Sequence, residues 1–167
     1  MYFMSNQKSI NVRTILRSRF KGLWEHFHQL TDKIPEDRLH EGEESWQISW
    51  VLYHMIETAE FYYQNSPDMM KWGRRAGLDW KKNTEDEIRK RKKDINKDML
   101  QEYAQEIEKK IEDYLEQTTD AALLEKDGFE YFDSVVGKLI YLLQHNHYHI
   151  GELASILRSM DAERFKW

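Results

Sequence analysis

The chain has 167 residues, 40% of them hydrophobic and 13% aromatic, with no cysteine and a formal net charge of −5. That length fits one domain, 1–167, with room for a core that needs no staples, and so much apolar and aromatic material excludes a disordered chain. The missing cysteines exclude disulfides, thiolate metal sites and a cysteine nucleophile, the negative charge leaves no nucleic-acid partner expected, and no stretch reaches the ~20 apolar residues of a membrane span.

Met1 to Ile10 lacks the apolar region of a signal peptide, so the cytoplasm is the expected location. A first helix is expected over about Val12 to Thr31, where Ile15, Phe20, Leu23, Trp24, Phe27 and Leu30 recur at three- and four-residue steps. A polar link, Asp32 to Glu44, contains Pro35. A second helix is expected from about Trp46 to Gln64, with Ile48, Val51, Leu52, Met55, Ala59 and Tyr62 on one stripe, and Pro67 closes it. Ser66 to Lys97 follows, a long connection low in apolar residues that reads as a cover for the bundle. Within it Thr84 and Glu87 have the spacing of a capping box, and Trp72 and Trp80 read as packing a loop. The basic run Arg89 to Lys93, bracketed by acids, reads as a solvated helix face. A third main helix should start near Asp98, which with Gln101 resembles a capping box, and carries Leu100, Tyr103, Ala104, Ile107, Ile111, Tyr114 and Leu115. A fourth runs from about Ser134 to Met160 on Val135, Leu139, Leu142, Leu143, Ile150, Leu153, Ala154, Leu157 and Met160. The fold class is therefore all-α, an antiparallel four-helix bundle with a long connection between helices two and three.

The chemistry lies in the histidines. A helix turns about 100° per residue, so His145 and His149 stand about 40° apart, one turn above the other, and can reach one ion. His147 points to another side. His54 flanks the apolar stripe of the second helix, and with the pair it makes a three-nitrogen set with coordination positions left open, the plan of a catalytic metal site. The competing reading is of packed or surface histidines with ordinary hydrogen bonds, and that reading is taken for His26, His28 and His40. A ferritin-like diiron centre needs Glu-x-x-His on two helices, a pattern the chain does not carry twice. The zincin signature is also absent. Glu57, Glu60 and Glu152 lie near ligands in sequence. They are candidates for catalytic base or for hydrogen-bond acceptor to an imidazole, against the alternative of solvated glutamates.

Ser49-Trp50-Val51-Leu52-Tyr53-His54 with Glu60, and Gln144-His145-Asn146-His147-Tyr148-His149-Ile150-Gly151-Glu152-Leu153, resemble the second- and fourth-helix signatures of the DinB/YfiT-like family of metal-dependent enzymes. The resemblance implies a four-helix bundle, His54, His145 and His149 as ligands, zinc or nickel as the divalent ion, and a homodimer as a common assembly. Ile150 and Glu152 depart from the arginine and glutamine often found there, which implies a different ligand. Members of the family include S-transferases and isomerases that use a low-molecular-weight thiol. The function expected is thus a metal-dependent S-transferase joining such a thiol to small electrophiles. The rivals are a non-enzymatic stress-response or binding bundle with a structural or vestigial metal site, and a metal-dependent hydrolase.

Overall fold

The computed structural model describes residues 11–43 and 46–160. The reading of Met1 to Ile10, the end of the Asp32–Glu44 link and both ends of the expected 1–167 domain lie outside the described residues. Six α-helices follow in chain order among the described residues: α1 (Val12–Lys33), α2 (Ile48–Tyr63), α3 (Glu85–Lys93), α4 (Lys97–Gln117), α5 (Asp120–Leu124) and α6 (Val135–Ser159). The four long ones, α1, α2, α4 and α6, are the four expected from periodicity. Among the described residues there is no strand, and no helix is long and apolar enough to cross a membrane.

Each long helix starts where its unpaired backbone N–H groups find acceptors. Asn11 accepts from the Thr14 N–H at 2.9 Å, and the Asp120 carboxylate accepts from those of Val12 and Arg13. This ties α5 to the start of α1. Helix α2 has no side-chain cap. Instead the N–H groups of Ile48 and Ser49 donate to the carbonyls of Glu41 and Leu39 in the preceding link, at 3.0 and 2.8 Å. Ser134 caps α6 through the Gly137 N–H. Helix α4 begins on Asn96, whose side chain accepts from Met99, and Asp98 lies within the first turn. Both residues are good caps; the chain uses the earlier one.

Helices α1 and α2 each pack against both α4 and α6, so α1 and α2 lie across the bundle from one another. Antiparallel order of α2 and α6 is visible in their contacts: His54 meets His145, Tyr62 meets Tyr141, and the Gln64 carbonyl meets Lys138. Leu52, Met55, Ile56 and Ala59 of α2 and Leu139, Leu142, Ile150 and Leu153 of α6 are buried in one core. Burial of this stripe, at roughly 25 cal/mol per Å² of apolar surface, is what holds the two helices in register. One expected core residue is displaced: Ile15 is half-exposed, and Leu16 beside it takes the buried place.

The 66–97 connection does more than cover the bundle. Ala76, Leu78 and Ile95 enter the core, whereas no residue of α3 is buried. Both hydrogen bonds of the Thr84–Glu87 capping box are present. Gly73 sits at φ 79°, where a Cβ would come within 2.6 Å of that of Leu78, so the turn into Leu78 requires glycine.

Candidate metal centre

His54 comes from the middle of α2, and His145 and His149 from one face of α6. One nitrogen from each lies within 4.8 Å of the others. The Nε2 atoms of His54 and His145 are 3.2 Å apart. The rings stand steeply to one another, with centroids 5.0, 5.3 and 4.7 Å apart, so they meet at their edges rather than stacking.

The opposite nitrogen of every ring meets a side-chain oxygen. His54 Nδ1 lies 3.4 Å from Thr58 Oγ1, His145 Nδ1 3.0 Å from Asn146 Oδ1, and His149 Nδ1 2.7 Å from Glu152 Oε2. For His145 the tautomer follows from the geometry. Asn146 is buried, and its amide nitrogen donates to the Met55 carbonyl at 3.1 Å. Its oxygen must therefore accept, His145 Nδ1 carries the proton, and Nε2 keeps a free lone pair. Glu152 fixes His149 likewise, since a carboxylate only accepts. Such contacts orient metal-ligating imidazoles and raise their basicity.

These residues fit a divalent ion. Nitrogens ~2.0–2.1 Å from a tetrahedral centre stand about 3.3–3.4 Å apart, close to the separation found between His54 and His145. The rings of His54 and His145 are also in the right charge state. Burial, then the neighbouring His145 and His149, push His54 down to about 4. Burial likewise lowers His145, outweighing the hydrogen bond to Asn146. Both are neutral at physiological pH, as ligation requires.

Other histidines stay out of the cluster. His147 Nδ1 faces the Leu143 carbonyl at 2.8 Å, and its ring meets the edge of His26. His28 bonds with Gln101 and Glu108, and His40 with Ser49. Aromatic rings flank the centre: Trp46 and Tyr148 lie beside His149, and Tyr141 beside His145.

The three glutamates divide. Glu152 meets His149. Glu57, buried, accepts from the Tyr53 hydroxyl at 3.1 Å and from the Gly73 N–H. Burial raises its carboxyl to about 7, against the lowering effect of those two bonds. Glu60 accepts from the Tyr103 hydroxyl and lies 3.6 Å from the Arg74 guanidinium. Glu57 and Glu60 thus join α2 to the 66–97 connection and to α4. Thr58 and Asn146 were not singled out from the sequence. Thr58 carries a readable signal, one helical turn after His54. Asn146 carries none, because its role depends on the Met55 carbonyl of another helix.

Comparison with curated proteins finds no match. A family model described as the DinB superfamily matches residues 19–153, a span that includes all three clustered histidines. The chain belongs to the DinB superfamily.

Proposed function

We propose that the protein is a metal-dependent S-transferase that joins a low-molecular-weight thiol to small electrophiles, with zinc or nickel at the three histidines. The observation that carries this reading is the convergence of three imidazoles from two helices, each held at its far nitrogen by a side-chain oxygen. When bound, the ion supplies a double positive charge undiminished by its neutral ligands, enough to favour ionisation of a nearby thiol at neutral pH. The chain has no cysteine, so the thiol comes from outside.

In this reading the chain holds and shields the site. Asn146 and Glu152 keep the lone pairs of His145 and His149 aimed inward. His149 is buried with Trp46 and Tyr148 edge-on beside it, and the low water access strengthens electrostatic contacts there. The thiol gives its proton to solvent, its sulfur forms a bond to the electrophilic carbon, and the leaving group departs with the electron pair of the broken bond. Ile150 is buried, so any contact with the electrophile is left to other side chains.

The test is conjugation of a chromogenic electrophile with a panel of low-molecular-weight thiols, using metal-loaded protein, metal-free protein and His54→Ala. Turnover should require both thiol and metal, and His54→Ala should match the metal-free protein. Cobalt-substituted protein whose absorption spectrum ignores every thiol would exclude a transferase and leave hydrolysis or a binding role.

A further inference from the structure

Two rows of side chains run along the groove between α2 and α6. On α2, His54, Thr58 and Phe61 follow at steps of four and three residues. On α6, Tyr141, His145 and His149 follow at steps of four. Such steps keep each row on one helix face. The helices are antiparallel, so Phe61 and Tyr141 lie at the same end of the groove, beyond the imidazoles.

A cavity of about 620 Å³ opens there, within the range of small-molecule sites. Its walls are Phe61, Tyr62, Phe129, Phe132 and Tyr141. These rings meet mostly edge to face: Phe61 and Phe129 at 5.0 Å, Tyr62 and Tyr141 at 5.4 Å, Tyr62 and Phe132 at 5.8 Å. The Tyr141 ring also lies 6.3 Å from that of His145, so one residue borders both cavity and centre. One helical turn, about 5.4 Å, separates the two along α6.

The wall formed by residues 128–132 is held in place. Lys138, 1% exposed, donates to Asp127 and to the Gln64 carbonyl and lies 4.2 Å over the Phe129 ring. The Gly128 N–H donates to the Asn65 carbonyl at 2.8 Å. The cavity is therefore built into the fold. Its charged lining residues are Asp68 and Glu130, and no lysine or arginine lines it. That set disfavours an anion, and the ring edges and faces favour a planar ring.

We infer that this cavity is the substrate subsite of the histidine centre and takes a neutral aryl group of the electrophile. The inference rests on the reading that the three histidines hold an ion at which a substrate reacts. Tyr141 separates the aryl subsite from the reacting end, which lies toward His145.

Indole, a neutral aromatic probe, tests this by ligand-observed NMR, with cyclohexanol as the aliphatic control. Indole should bind zinc-loaded and metal-free protein alike, and cyclohexanol roughly tenfold more weakly. Tyr141→Leu and Phe132→Leu, at exposed and half-buried positions that spare the core, should each weaken indole about fivefold with an unchanged circular dichroism spectrum. In cobalt-loaded protein the bound indole protons should relax faster than in zinc-loaded protein, because the paramagnetic ion is near. Indole binding that ignores both substitutions, or a cobalt-loaded protein that leaves bound indole unrelaxed, overturns the subsite while the metal centre stands. A protein that takes up no cobalt overturns the metal reading itself, and the subsite assignment with it.

Discussion

His149 and Glu152 stand one turn apart on α6, and the glutamate carboxylate accepts the Nδ1 proton of the imidazole at 2.7 Å. The consequence is testable through affinity. Glu152→Ala should cost about 10–100-fold in metal affinity, the usual cost of losing such a partner. Glu152→Gln, which keeps an acceptor without the charge, should cost less. Competition against a chromophoric chelator measures both, and equal affinity in Glu152→Ala and the parent would show that the contact orients nothing.

Ligand choice is the second prediction. His54→Ala, His145→Ala and His149→Ala should each lose most bound metal, and His147→Ala should keep it. The last follows from where His147 points, to the Leu143 carbonyl and the His26 ring. Metal content by elemental analysis decides, and a metal-free His147→Ala would place the ligands on the other face of α6.

Asn146 offers the third. Asn146→Ala would remove the second hydrogen bond that the buried Met55 carbonyl accepts, beside the helical one, and would leave His145 Nδ1 without its acceptor. Each lost hydrogen bond is worth about 0.5–1.5 kcal/mol. Thermal unfolding should therefore move down even without metal, and metal affinity should fall as well. A loss of affinity with an unchanged midpoint would assign Asn146 to the ligand alone.

The fourth concerns pH and isolates Glu57. Its carboxyl is raised from 4.5 to about 7 in the folded chain, chiefly by burial, so the fold binds this proton more tightly than the unfolded chain does. The resulting stability is fully present below 4.5 and is lost as pH rises through about 7. The difference, 7 − 4.5, is worth on the order of 3 kcal/mol. Glu57→Gln cannot ionise, so its urea midpoint should fall less between pH 5 and 8 than that of the parent. Parallel pH profiles would place the ionisation elsewhere.

His54 acts in the opposite sense. Its lowered value, about 4 against 6.5, makes the fold bind fewer protons than the unfolded chain, so its contribution is present above 6.5 and lost as pH falls through 4. Metal should strengthen this, since protons compete for the same nitrogens. Calorimetric titration of the metal-free protein should release more protons per metal at lower pH, and occupancy should collapse on approaching pH 4. Affinity unchanged down to that pH would remove the imidazoles from the ligand set.

What could be read from the sequence was whatever repeats along a helix. The four long helices, the pairing of His145 with His149 and the exclusion of His147 all follow from a turn of about 100° per residue. The Thr84–Glu87 cap is local and was equally readable. Direction across helices was not. Glu57 and Glu152 each stand three residues after a ligand, yet only Glu152 turns back to its histidine. The Gly73 N–H and the Tyr53 hydroxyl, supplied by a distant turn and by the preceding helical turn, take up Glu57. Helix α5 has five residues, too few for a period to reveal it. The aromatic cavity joins three separate segments, so no single window of sequence displays it.

His54 and His145 are 91 residues apart in the chain and 3.2 Å apart in space. An ion shared between them would close that long loop as a reversible crosslink, with the closing free energy set by metal concentration rather than by a covalent bond. The second helix and the last would then be the hardest pair in the bundle to separate. Chelation would loosen them first, at the groove that also holds the aromatic cavity.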